Sequence, residues 1–277
     1  MPGRRDLKLL LIPALLLLAS VSPGLAEGKP PKGKIVAESG RASRGEATRI
    51  ARTLGSRNIV RSAAFAARPP YGRPAAISTK RLGGFPLSGR KFMILSSGNA
   101  LFADNKNSEP DTSQNAGGPT IRGARDVTIF RVNVRVPKKD NCLSVRFRFL
   151  TEEFPEFVKS EFNDAFIAEL DDTTWTTNTI GSPRISAPNN FAFGPAGRLI
   201  SVNGIGSAGV SAGAAKGTTY DGATRKLRAS TRTTSGTHRL YLSIFDQGDR
   251  QYDSAVFLDR LTTSRRATCK SGVVGQK

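Results

Sequence analysis

Histidine, cysteine, methionine and tryptophan are almost missing from this chain. One histidine, His238, excludes a histidine-rich zinc centre and leaves any serine-hydrolase triad a single choice of base. Two cysteines, Cys142 and Cys269, lie too far apart in sequence to form a zinc clamp. Acidic residues are also scarce, with 22 Asp and Glu against 42 Lys and Arg, for a formal charge of +20. Beyond the N-terminus no apolar run is long enough to cross a bilayer. Helical periodicity nearly disappears after residue 70, which argues against α/β and all-α folds.

What is present begins with an export signal. Arg4, Arg5 and Lys8 precede an apolar run of 13 residues (9–21), and Pro23, Gly24 and Ala26 then mark a cleavage region. Residues 1–26 therefore read as a secretory signal peptide cleaved after Ala26, with the run too short to span a membrane easily. The segment Arg4-Arg5-Asp6-Leu7-Lys8 also resembles a twin-arginine signal, although Gly3 stands where Ser or Thr is usual, so the export route stays open. In an oxidising compartment Cys142 and Cys269 are expected to pair, and in the chain-entropy view a loop that long is worth about 4–5 kcal/mol. The basicity concentrates early: residues 27–92 hold fifteen Lys and Arg against three Glu. These charges are scattered and not interleaved with aromatics, so they read as a solvated leader and make nucleic acid a poor partner.

Residues 27–50 are rich in Gly, Pro, Lys and Ser and are expected to be a disordered basic linker. A short helix is expected from residue 46 towards 67, marked by Ile50, Leu54 and Ile59. From there the texture is β. The stretch 128–137 alternates, with Phe130, Val132, Val134 and Val136 on one face and Arg131, Asn133 and Arg135 on the other. Leu143, Val145, Phe147 and Phe149 repeat the pattern, and the turn at 137–141 predicts a hairpin between the two strands. Further strands are expected at 165–170, 190–193, 199–202, 226–230, 239–245 and 254–261. Short strands separated by Gly, Pro and Asn turns indicate an all-β sandwich or barrel over 51–265. Residues 266–277 read as a polar tail.

Three stretches carry a family likeness: MILSSGNA (93–100), FLTEEFPEFVKSEFNDAF (149–166) and DQGDRQYDSAVFLDRL (246–261). In this order they resemble the choice-of-anchor L domain, a family of bacterial secreted or surface β-rich domains, and the likeness covers roughly residues 52–263. The resemblance implies a jelly-roll-like β-sandwich and transfers no catalytic residues. No anchoring signal is recognised after Leu261, so release or non-covalent retention is expected.

Two acid groups sit at strand ends. Glu152, Glu153, Glu156, Asn163 and Asp164 form the first, among Phe154, Phe157 and Phe162; Asp246, Asp249, Asp253 and Asp259 form the second. Oxygen ligands on such loops suit Ca²⁺. Glu152, Glu153, Asp164, Asp246, Asp249, Asp253 and Asp259 are the candidate metal ligands, with turn formation or salt bridges to arginine as the plainer reading. A third reading makes them glycosidase carboxylates, which need a defined separation. Gly204-Ile205-Gly206-Ser207-Ala208-Gly209 matches a dinucleotide fingerprint, and Gly209-Val210-Ser211-Ala212-Gly213 a nucleophile elbow. A flexible Gly/Ala/Ser loop accounts better for both, even though Ser211, His238 and Asp221 or Asp246 are formally a triad. Trp175 is either a core anchor or a sugar platform, and the core reading is preferred. The functional expectation is a secreted extracellular binding or adhesion module, stabilised by Ca²⁺ if the acids converge. Its ligand would be a polysaccharide, a cell-wall polymer or a protein. The alternative is a secreted carboxylate-dependent hydrolase.

Overall fold

The computed structural model describes residues 35–38, 43–107, 114–178 and 184–275, so the signal peptide expected at 1–26 lies outside the described residues. Sixteen strands and three short helices follow one another. They are β1 (Ile35–Ala37), α1 (Arg44–Ala51), β2 (Val60–Ala67), β3 (Ala75–Ser78), β4 (Phe92–Ser96), β5 (Arg125–Val136), β6 (Cys142–Thr151) and β7 (Ala165–Leu170). Then come β8 (Thr176–Thr177), β9 (Ile185–Ser186), β10 (Ile200–Ser201), α2 (Val202–Gly209), β11 (Val210–Ser211) and α3 (Ala212–Ala215). The last are β12 (Gly222–Thr224), β13 (Leu227–Arg232), β14 (Gly236–Asp246), β15 (Ser254–Ser264) and β16 (Gly272–Gly275). Antiparallel pairing builds a nine-stranded sheet in the order β1-β3-β4-β15-β6-β12-β11, with β13 also on β6 and β16 on β13. A five-stranded sheet runs β10-β7-β14-β5-β2.

The chain alternates between sheets as it goes from β4 to β7 and again from β13 to β15, which is the jelly-roll manner of winding. The alternation seen in sequence explains this. Phe130, Val132 and Val134 of β5 and Leu143, Val145, Phe147 and Phe149 of β6 all join one core between the sheets. The expected β5–β6 hairpin is therefore corrected: β5 pairs with β14 and β2, and β6 with β15, β12 and β13. Each strand faces the other across the core, and the 137–141 turn carries the chain from one sheet to the other. Strands β4 and β15 are apolar on both faces because both faces are covered. Met93, Leu95, Val256 and Leu258 point into the central core, while Phe92, Ile94 and Phe257 enter a second cluster with Phe85 and Leu82.

Four other expectations shift. Within 27–50, Ile35–Ala37 pairs with β3, and α1 buries Ala47, Ile50 and Ala51 completely. The helix opens on an N-cap, with Ser43 Oγ accepting from the Glu46 N–H. It ends well short of residue 67, because residues 60–67 pair with β5 as β2. The 266–277 tail is also anchored: Cys269 is bonded to Cys142, and β16 lies against β13. The Gly-rich stretch 202–215 is helix and bridge, with a break at Gly206 (φ 45°), in place of the expected loop. The disulfide closes a loop over a sequence separation of 127 between the start of β6 and the segment after β15. Replacing both cysteines, Cys142→Ser with Cys269→Ser, is expected to cost about 4–5 kcal/mol in urea unfolding while leaving the folded far-UV spectrum unchanged.

Candidate functional site

Both loops that carry the acids are crossovers between sheets, and they sit side by side. Thr151, the last residue of β6, is in register with Ser254, the first of β15. Ala165, the first of β7, is in register with Phe245 near the end of β14. The β6–β7 and β14–β15 connections therefore leave and re-enter the two sheets at the same end. Their flanking acids have no route to solvent: Glu152 is 1% exposed, Glu153 1%, Asp164 0%, Asp246 0% and Asp253 2%.

Hydrogen bonds knit this seam. Ser254 Oγ donates to Asp164 Oδ2 at 2.7 Å and lies 2.9 Å from Thr151 Oγ1. The Gln247 N–H donates to Asp164 Oδ1, and the Asp164 N–H donates to Glu153 Oε2. The 93–100 segment closes the seam from the nine-stranded sheet. The Ser254 N–H donates to Ser97 Oγ, and Ser96 Oγ donates to the Ser254 carbonyl. At Gly98 a Cβ would stand 2.0 Å from Asp253 Oδ2, so only glycine lets the backbone pass that carboxyl. The three stretches that carry the family likeness thus meet at one place.

Burial dominates the electrostatics. It raises the Asp164 carboxyl to about 8 and pushes Glu153, Asp246 and Asp253 well up, with neighbouring carboxyls adding to the rise. None of the charges acting most strongly on these four groups is a Lys or an Arg. Tyr220, fully enclosed beside Glu152 and Asp253, is raised in the same way. Asp246 has no hydrogen-bond donor in place on either oxygen, although the Ser97 hydroxyl and the Asp164 carboxyl are polar neighbours, and Asp253 Oδ1 likewise has none. Asp126, missed by sequence reasoning, belongs to the same region; it accepts from the Ala116 N–H and pairs with Arg250. Its place inside β5 gave no hint of that.

Not every expected acid joins. Asp259 lies six residues along from Asp253, about 20 Å in an extended strand. There it accepts from the Leu87 and Ser88 N–H groups at 2.7 and 2.9 Å and fixes that turn. Asp249 is half-buried and accepts from the Gln251 N–H, a turn-forming role, and Glu156 is exposed. Asn163 holds α2 by accepting from the Asn203 N–H, and the loop aromatics pack as Phe157 on Phe162 and on Tyr252. His238 is engaged elsewhere, its Nδ1 2.8 Å from Asp171 and its Nε2 3.0 Å from the Thr234 carbonyl, while Ser211 Oγ caps α3. Ser211 and His238 thus serve separate contacts, in line with the preference against a triad. Trp175 is fully buried, stacked on Phe245 at 4.2 Å with its Nε1 donating to Ser243, which settles it as a core anchor. Among the described residues no three His, Cys, Asp or Glu side chains meet at one coordination point.

These features define a two-sheet β-sandwich with a sealed acidic seam at one end. The model of the choice-of-anchor L domain matches residues 77–263, more than half of the chain, and the chain belongs to that family. No curated protein matches it. Among solved structures it is similar to TmCBM61 in complex with beta-1,4-galactotriose, with a TM-score of 0.29 and 9% identity over 74% of this chain and 87% of that one. A likeness of that size carries no functional information.

The raised carboxyls give a pH dependence of definite sign. Asp164 titrates near 3.8 when unfolded and about 8 when folded, so the folded state holds the proton more tightly. Its stabilising contribution is whole below pH ~4 and is lost as pH rises through 8, and the other three groups act in the same direction. In chelator-treated buffer the melting temperature is expected to fall from pH 5 to pH 9; a rise over that range would contradict the seam's protonation. Gly98→Ala is expected to cost about 1–3 kcal/mol by displacing Asp253.

Proposed function

We propose that this protein is an extracellular, non-enzymatic binding or adhesion module of the cell surface or its surroundings. Burial of the acids is the observation that carries this reading. A glycosidase needs its two carboxyl groups in contact with a sugar ring and with water. Here Glu153, Asp164, Asp246 and Asp253 lie inside the seam, so a polymer would have to unpack the sandwich to reach them. The family points outward from the cell, in keeping with the export signal read at residues 1–26. Among the described residues no helix is long and apolar enough to cross a membrane. Glu153→Gln and Asp246→Asn are expected to leave retention on polysaccharide arrays unchanged. Turnover of chromogenic glycosides by the wild type, abolished by either change, would overturn the binding reading in favour of a hydrolase.

A second reading rests on Asp246 and Asp253. Buried oxygens without donors, whose strongest charged neighbours are other carboxyls, need either protons or a metal ion. We infer that Ca²⁺ replaces the protons, held by these two carboxylates with the rest of its roughly six to eight oxygens neutral. At pH 8, millimolar Ca²⁺ is expected to raise the melting temperature relative to EGTA and to release protons into weakly buffered solution. Unchanged melting at both pH 6 and pH 8 would remove the cation from this picture.

A further inference from the structure

The outer face of the five-stranded sheet is divided in two. One half is roofed: Val127, Ile129, Ile167 and Phe245 pack under Trp175 and the arm that bears β8 and β9. Among the described residues nothing roofs the other half. There the outward residues of β5 are Asn133 and Arg135, and their cross-strand partners on β14 are Arg239 and Thr237. On β2 the register slips between Val60 and Ser62, and this bulge leaves Arg61 exposed beside Ser62, which pairs with Asn133. The result is a groove of about 750 Å³ lined by Arg61, Ser62, Asn133, Arg135, Asp171, Thr237 and Arg239.

We propose that this groove binds an acidic, carboxylate-bearing polysaccharide; this rests on the binding-module reading above and names its ligand class. Arg61, Arg135 and Arg239 are all exposed, and among the described residues none of them makes an ion pair. The one acid in the lining, Asp171, accepts from the Arg239 N–H at 3.1 Å and lies 2.8 Å from His238 Nδ1. Three unpaired guanidinium groups fit carboxylates, which arginine grips with two parallel hydrogen bonds. Between them lie an amide and two hydroxyls: Asn133 donates to Ser62 Oγ at 2.7 Å, and Thr237 is exposed, a spacing of small polar groups suited to sugar hydroxyls. The lining contains no aromatic side chain on which bases would stack, which favours a sugar polymer over a single-stranded nucleic acid. The sheet supplies rigidity, because the arginines stand on paired strands and not on loops.

Retention of the full exported chain on immobilised polygalacturonate, on its methyl-esterified form and on double-stranded DNA tests this at fixed salt. Wild type is expected to bind the acid form and to weaken as salt rises, and Arg135→Gln with Arg239→Gln should weaken binding about tenfold or more. Arg90→Gln with Lys91→Gln removes equal charge from exposed positions leading into β4 of the other sheet and should change it less than about twofold. Equal losses in the two double variants would overturn the groove in favour of diffuse attraction. Stronger, groove-dependent retention on DNA would overturn the choice of polymer. Binding to the ester but not the acid, or to neither, would sink this inference and leave the binding-module reading standing, whereas glycoside turnover lost on Glu153→Gln or Asp246→Asn would remove that reading.

Discussion

Two strand crossovers forced through one end of a sandwich are the constraint from which the rest follows. The β6–β7 and β14–β15 connections each carry the chain from one sheet to the other, and the register of Thr151 with Ser254 holds them in contact. Chain that turns between sheets cannot satisfy its polar groups with a ladder, so side chains have to do so. Asp164 takes that part, accepting from Ser254 and Gln247 on the opposite crossover. Once such a carboxyl is enclosed with others like it, desolvation favours the neutral form, and a region that looks catalytic in composition becomes a structural joint.

The three motif segments gain a common physical meaning in this light. The serines of the 93–100 segment bond to Ser254, its glycine clears a path for Asp253, and the phenylalanines of the β6–β7 loop pack with Tyr252 over the outside. They are far apart in sequence but adjacent in space, and each contributes what the others lack: hydroxyl donors, room, and cover. The disulfide works on the same central strands from the opposite end, at the start of β6.

Much of this was legible before any coordinates. Strand β7 matches the expected 165–170 because its apolar run has only one use, whereas the β5–β6 hairpin failed because alternation identifies a buried face but not the neighbouring strand. Residues 60–67, rich in alanine, suit either period, and only pairing with β5 makes them a strand. The four residues of β16 have no signal of their own and are held by β13. For the acids, nearness could be guessed from their places at strand ends. Their burial could not, since a carboxylate in a loop is ordinarily solvated and the sequence does not show what covers it. Asp259 was misgrouped for the converse reason: four residues of strand separate it from Ser254 without any break in the pattern.

The flanks of the nine-stranded sheet have a different consequence. Its outermost described strands are slight: β1 has three residues and β16 four, and Val36 and Val274 on them are half exposed. Long bare edges invite other chains to add on and build fibres, and stubby ones offer few main-chain groups to copy. Copies of a chain with such flanks can crowd together and find little main chain to pair with. Of the two short strips, β16 follows closely on the bond to Cys269.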